Sequence, residues 1–153
     1  MKKIIKIAST NKGFTLVEIL FTTVILAIVV GSLIELFMYC SFLAEASRDL
    51  TIAMHEAQNK LEEIRNDNYD NIVTDYANKV YDITSPNGKI YTYVDNTNTD
   101  LLIIKVAVCW QNSNGRVMGE DQNVDGTLTV SEDKNGNSQA DSEATLLDYI
   151  ARR

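Results

Sequence analysis

From Phe14 to Leu43 the chain is apolar almost without interruption, and its charged residues are Glu18 and Glu35 alone. About 20 residues suffice for a helix to cross a hydrocarbon layer of roughly 30 Å, so this run of about 30 predicts a membrane-spanning helix. The pattern changes at Glu45. Leu50, Met54, Ala57, Leu61 and Ile64 recur at helical spacing against Arg48, Glu56, Lys60, Glu63 and Arg65, which makes the same helix one-sided from there on. Its end is predicted at Asn66-Asp67-Asn68-Tyr69-Asp70-Asn71, because Asn and Asp side chains compete with helical hydrogen bonding and favour turns.

Beyond this run the period shifts toward two. Val80 to Thr84 and Lys89 to Val94 flank Ser85-Pro86-Asn87-Gly88, read as a hairpin turn with Pro86 in second place and Gly88 free to take positive φ. In Leu101 to Trp110, the strongest strand, Leu102, Ile104, Val106, Val108 and Trp110 form an apolar face expected to cover the helix stripe, while Lys105 and Cys109 share the other. Gln111-Asn112-Ser113-Asn114-Gly115 turns the chain into a short strand, Arg116 to Met118. Leu146 to Ala151 reads either as a short helix capped by Ser142 or as a last strand returning to the sheet, and the strand is the expectation. The fold class is therefore α+β: a long N-terminal helix, half transmembrane and half amphipathic, on a small antiparallel sheet. The expected parts are a basic leader at 1–13, a membrane and assembly half of the helix at 14–44, and a globular part at 45–153 carrying an acidic loop at 120–143.

Charge sharpens this division. Of 14 basic side chains, Lys2, Lys3, Lys6 and Lys12 lie in the leader, which has no acid, so the remainder holds 10 against 21 acidic ones. Such a remainder argues against nucleic acid as a partner, because phosphate binding needs clustered Lys and Arg. The basic leader keeps its end in the cytoplasm and sends the C-terminal side across the membrane. Catalysis has little to work with: His55 is the one histidine and reads as a solvated helix residue, and there is no nucleophile motif or Gly-rich phosphate loop. Cys40 lies deep in the helix and Cys109 in a late strand, so two buried free thiols are expected rather than a bridge.

The junction Gly13-Phe14-Thr15-Leu16-Val17-Glu18 is the most specific signal. A cleavable secretory signal has an apolar region of roughly 7–15 residues ending at a small-x-small site, and neither condition is met here. A carboxylate within an apolar span costs ~2.5–3.5 kcal/mol near the bilayer centre, so Glu18 either snorkels at the membrane face or finds a partner. Cleavage between Gly13 and Phe14 would leave a free α-amine four residues from Glu18, and two staggered chains could then neutralise each other. A basic leader, Gly-Phe, an acid at this spacing and a long apolar run together resemble a type IV prepilin N-terminus. The likeness is close over residues 1 to about 45 and one of style from Ala46 to Tyr69. It implies cutting after Gly13 by a prepilin peptidase, N-methylation of Phe14, and docking through Glu18 with other pilin or pseudopilin subunits at an inner-membrane assembly platform. It further implies a single-pass inner-membrane protein that passes into an extracytoplasmic filament. Many major pilins carry a proline where this chain has Glu35, and its one proline is Pro86; that departure favours a minor pilin or a type II secretion pseudopilin.

The second signal is acidic. Asp121, Asn123, Asp125, Gly126, Thr127, Thr129 and Glu132 occupy positions 1, 3, 5, 6, 7, 9 and 12 of an EF-hand-type loop, in which alternate oxygens, a position-7 carbonyl and a final Glu surround one Ca²⁺. Asp133, Asn135, Asn137 and Asp141 follow as a weaker echo, with Ser138 in the glycine place. One ion is expected, or two if the echo also binds. A strand rather than a helix enters the loop, so the coordination pattern transfers and the EF-hand fold does not. The competing readings are a solvated acidic loop and, for the whole chain, a monomeric signal-anchored Ca²⁺-binding surface module in which Glu18 is incidental.

Overall fold

The structure, a computed structural model, describes residues 13–152, so the leader expected at 1–13 lies outside the described residues except for Gly13. Helix α1 spans Leu16–Arg65, 50 residues. The chain divides into two compact units, one ending at Phe42 and the other beginning at Leu43.

In the first unit every described residue before Phe42 is exposed, Phe14 to 78% and Phe37 to 73%. Among the described residues α1 is the helix long and apolar enough to cross a membrane. Ser32, Ser41, Thr22 and Thr23 turn their hydroxyls back onto helix carbonyls three or four residues earlier, which satisfies those polar groups without water.

The second unit is built on a five-stranded antiparallel sheet. Strands β1 (Lys79–Ile83), β2 (Asn87–Asn98), β3 (Leu101–Gln111) and β4 (Val117–Met118) follow in order, and β5 (Ala144–Ala151) also pairs with β3. Strand β4 pairs with β3 at Trp110 and Gln111, and β5 pairs from Val108 back to Leu101. Together they form one broken edge, with residues 119–143 looped out of the break. The core is the helix stripe on the face that the alternation marks: Ala53, Ala57, Leu61 and Ile64 against Leu102, Ile104, Val106, Val108 and Trp110, all buried. Trp110 donates its indole N–H to Asn112 Oδ1 at 2.9 Å, which allows its ring to be buried without an orphaned donor. Buried Thr92 donates its hydroxyl to the Tyr76 carbonyl at 2.6 Å.

Several expectations need correction. Leu50 is more than a third exposed, and the buried stripe of α1 begins instead at Ala53, one turn further along. The Asn/Asp run does end α1, but it also starts helix α2 (Tyr69–Tyr76), for Asn68 Oδ1 accepts the Asp70 N–H as an N-cap. The chemistry that breaks one helix caps the next. The hairpin turn is Thr84-Ser85-Pro86, with a cis Ser85-Pro86 bond, and Gly88 is already in β2 opposite Ile83. Gly88 is needed for space rather than for φ: a Cβ there would lie 2.6 Å from the Cys109 carbonyl oxygen. Both cysteines are free as expected, yet Cys40 is exposed and Cys109 alone is buried. Burial pushes the Cys109 thiol up to about 11, so it stays protonated and inert at neutral pH.

Candidate functional sites

The first site is the start of α1. Thr15 precedes the helix, and its Oγ1 accepts the Glu18 N–H at 3.2 Å. Thr15-Leu16-Val17-Glu18 thus has the spacing of a capping box, with its threonine half formed. Glu18 lies in the first turn, where a carboxylate also complements the helix dipole. Gly13, Phe14 and Glu18 are all exposed, and a Cβ on Gly13 would meet no atom within 4 Å. Among the described residues nothing requires a glycine beside Phe14.

The second site is the loop between β4 and β5. Its neck is closed by the Glu120 N–H donating to the Asp141 carbonyl at 2.9 Å and by the Glu120 carboxylate, which accepts the N–H groups of Lys134 and Asp141. Above the neck the chain winds two turns of the same design. In the first, Asp121 accepts the Gly126 N–H, Asn123 that of Asp125, and Asp125 that of Thr127. In the second, Asp133 accepts the Ser138 N–H, Asn135 that of Asn137, and Asn137 that of Gln139. Positive φ recurs at the fourth and sixth places of both: Val124 at 54° and Gly126 at 91°, then Gly136 at 71° and Ser138 at 58°. The approximate repeat in sequence is a repeat in backbone, and Ser138 takes the strained conformation that Gly126 adopts freely.

The two turns differ in how their acids are satisfied. Asp121 is fully buried; its Oδ2 accepts from Tyr91 Oη at 2.5 Å, whereas Oδ1 is buried with no hydrogen-bond partner among the described residues. An unmatched buried carboxylate oxygen is costly, and a bound cation would be one way to meet it. Burial, and next to it the Asp121 hydrogen bond, raises the Tyr91 phenol. Asp125 is held below the usual carboxylate range by Thr127, and Glu132 by Thr129. Glu132 accepts the N–H groups of Gln122 and Thr129 as well as the Thr129 hydroxyl. Among the described residues no three His, Cys, Asp or Glu side chains converge closely enough to hold a metal. Asp121 fits a hard cation on the strength of its orphaned oxygen; Asp125 and Glu132 are engaged with the loop's own backbone.

In the second turn Asp141 Oδ2 accepts from the side-chain amides of Asn135 and Asn137, and Oδ1 meets Lys105 Nζ at 2.5 Å. Burial raises the Asp141 carboxyl, but Lys105, Asn137 and Asn135 together outweigh it and hold the group below its ordinary value. Lys105 reaches the loop from β3, beside Tyr93 on β2, whose ring centroid is 5.6 Å from Nζ. Tyr93 Oη accepts the Ala140 N–H at 2.8 Å.

Thus the face of the sheet opposite the helix is covered by the loop, through Tyr91, Tyr93, Lys105 and Cys109. Sequence reasoning placed Lys105 and Cys109 on this face but gave no role to Tyr91, Tyr93, Lys105 or Glu120. The alternation of Tyr91 and Tyr93 opposite the core face was the available sign, since two aromatic rings on one strand face call for a cover.

Among known proteins, residues 8–36 match the prokaryotic N-terminal methylation motif. No curated protein and no solved structure matches the chain. The matched stretch contains Gly13, Phe14 and Glu18 and runs into the apolar half of α1, so the likeness is to type IV pilins and is confined to the N-terminal part of the chain.

Proposed function

We propose that the chain is a structural subunit of a type IV pilus or a type II secretion-like filament, a minor pilin or pseudopilin rather than an enzyme. The observation that carries this reading is the Gly13-Phe14 junction with Glu18, inside the methylation motif and at the head of an apolar helix left uncovered among the described residues. The subunit is inserted with its N-terminus in the cytoplasm, cut after Gly13 by a prepilin peptidase and N-methylated at Phe14. It then leaves the inner membrane by stacking α1 against neighbouring subunits on the assembly platform. In the loop, Asp121, Asn123, Asp125, Glu132 and the Thr127 carbonyl hold one Ca²⁺, whose charge gathers acids that otherwise repel. Asp133, Asn135, Asn137 and Asp141 are accessory to it.

Mass spectrometry of the mature N-terminus tests the reading. N-methyl-Phe14 is expected in cells that contain a prepilin peptidase, and the Gly13→Val chain should keep its leader. An intact leader on the wild-type chain would instead support the monomeric anchored module.

A further inference from the structure

We infer that the two turns of the loop are two cation sites of which the chain itself fills one: Lys105 Nζ serves the second, so that a single Ca²⁺, centred on Asp121, serves the first. This rests on the calcium reading above and specifies where the ion goes and why there is one.

The backbones of the two turns are alike in hydrogen-bond pattern and in the places of positive φ. In both turns the first acid accepts the N–H of the sixth place, so each carries a carboxylate held by the same backbone. The turns differ in how their acids are matched. In the first turn the buried Asp121 Oδ1 has no partner among the described residues. Lys89, on the neighbouring strand, forms its ion pair with Asp82. In the second turn the last acid, Asp141, is matched by Lys105 at 2.5 Å, and Lys105 also donates to Gln139 Oε1 at 3.2 Å. Lys105 is 12% exposed at its side chain, and its position on β3 opposite Tyr93 fixes where the ammonium can reach. From Asp141 the effect passes inward. Its Oδ2 holds the Asn135 and Asn137 side chains at 2.8 and 2.9 Å, and these accept the Asn137 and Gln139 N–H groups. An ammonium with three donors on a strand is a permanent partner; a divalent ion at the first turn comes and goes with its concentration. The loop therefore has one half that is closed by folding and one that is closed by Ca²⁺.

The full chain in detergent micelles, dialysed against Ca²⁺ and analysed for bound metal, should hold one ion. Asp121→Asn, which keeps the shape and removes the charge, should hold none. In EDTA, hydrogen exchange should be slower at the Asn137 and Gln139 amides than at those of Asp125 and Thr127. Lys105→Gln should erase that difference by accelerating Asn137 and Gln139 about tenfold, the scale of a lost charge-assisted hydrogen bond, while Lys105→Arg should largely preserve it. Two ions on the wild-type chain, one ion retained by Asp121→Asn, or unchanged exchange in Lys105→Gln would overturn the inference. No ion on the wild-type chain would sink the calcium reading itself, and the exchange arm would still judge the role of Lys105.

Discussion

Glu18 and Asp121 are both carboxylates set where carboxylates are costly, one on a helix face made of apolar side chains and one buried behind a sheet. Around Glu18 the described residues offer an exposed apolar surface and a helix cap, and on the proposed reading the membrane or another chain completes that region. Around Asp121 nearly everything is already supplied: Tyr91, the Gly126 N–H and a closed loop neck leave one oxygen atom unmatched. The first region lacks a whole partner surface and the second lacks a single charge. If Glu18 serves assembly and Asp121 a ligand, as proposed, the two kinds of determinant look different, although both are acids out of place.

The largest expected effect breaks the comparison at Glu18. If its charge is matched in a neighbouring chain, Glu18→Ala should remain in the inner membrane and be lost from sheared filaments. An uncompensated cost of ~2.5–3.5 kcal/mol corresponds to roughly a hundredfold. Glu18→Gln isolates the cause, because glutamine keeps the capping-box geometry with Thr15 but not the charge. Should Glu18→Gln enter filaments as well as wild type, the residue acts as a helix cap and the pairing idea fails.

A smaller effect is expected at Asp121. With Ca²⁺ about 100-fold above Kd, linkage adds roughly 2.7 kcal/mol to the folded state, which for a folded part of this size means about 10 °C in Tm. Melts of the full chain in detergent, with Ca²⁺ and with EDTA, should differ by this much for wild type and coincide for Asp121→Ala. Coincident wild-type curves would leave the loop merely acidic.

These two regions were unequally legible in the sequence. The helix, its apolar half and the core face of β3 could be read directly, since period and composition are local properties. So could the spacing of Asp121 through Glu132 and its echo, because each place in such a loop has its own chemistry. What covers the sheet could not be read. The loop leaves β4 beside Trp110 and returns as β5 beside Val108, so its packing on Tyr91, Tyr93 and Lys105 is set by strand register across distant residues. Helix α2 was hidden for the opposite reason: Asn68 was read for what it ends rather than for what it caps.

The smallest effect concerns a contact that needs nothing from outside. Arg65, in the last turn of α1, donates from Nε to Asp148 Oδ2 on β5 at 2.7 Å and also pairs with Glu62. The Arg65 hydrogen bond holds the Asp148 carboxyl below its ordinary value of 3.8. A carboxyl depressed in the folded state contributes stability that is present above the unfolded value and is lost as pH falls through the folded one. The contribution should therefore be intact at pH 6 and fade below about pH 4. Because Arg65 remains substantially exposed, water screens the pair and the expected effect is a few degrees in Tm at most. Asp148→Asn should lower Tm by that amount at pH 6 and by much less at pH 3, equally with Ca²⁺ or EDTA. Asp125 and Glu132, also depressed, would keep an acid dependence of their own. A Ca²⁺-dependent response to Asp148→Asn would show that the helix end and the loop are energetically coupled, and would end the separation between what the fold closes by itself and what the ion closes.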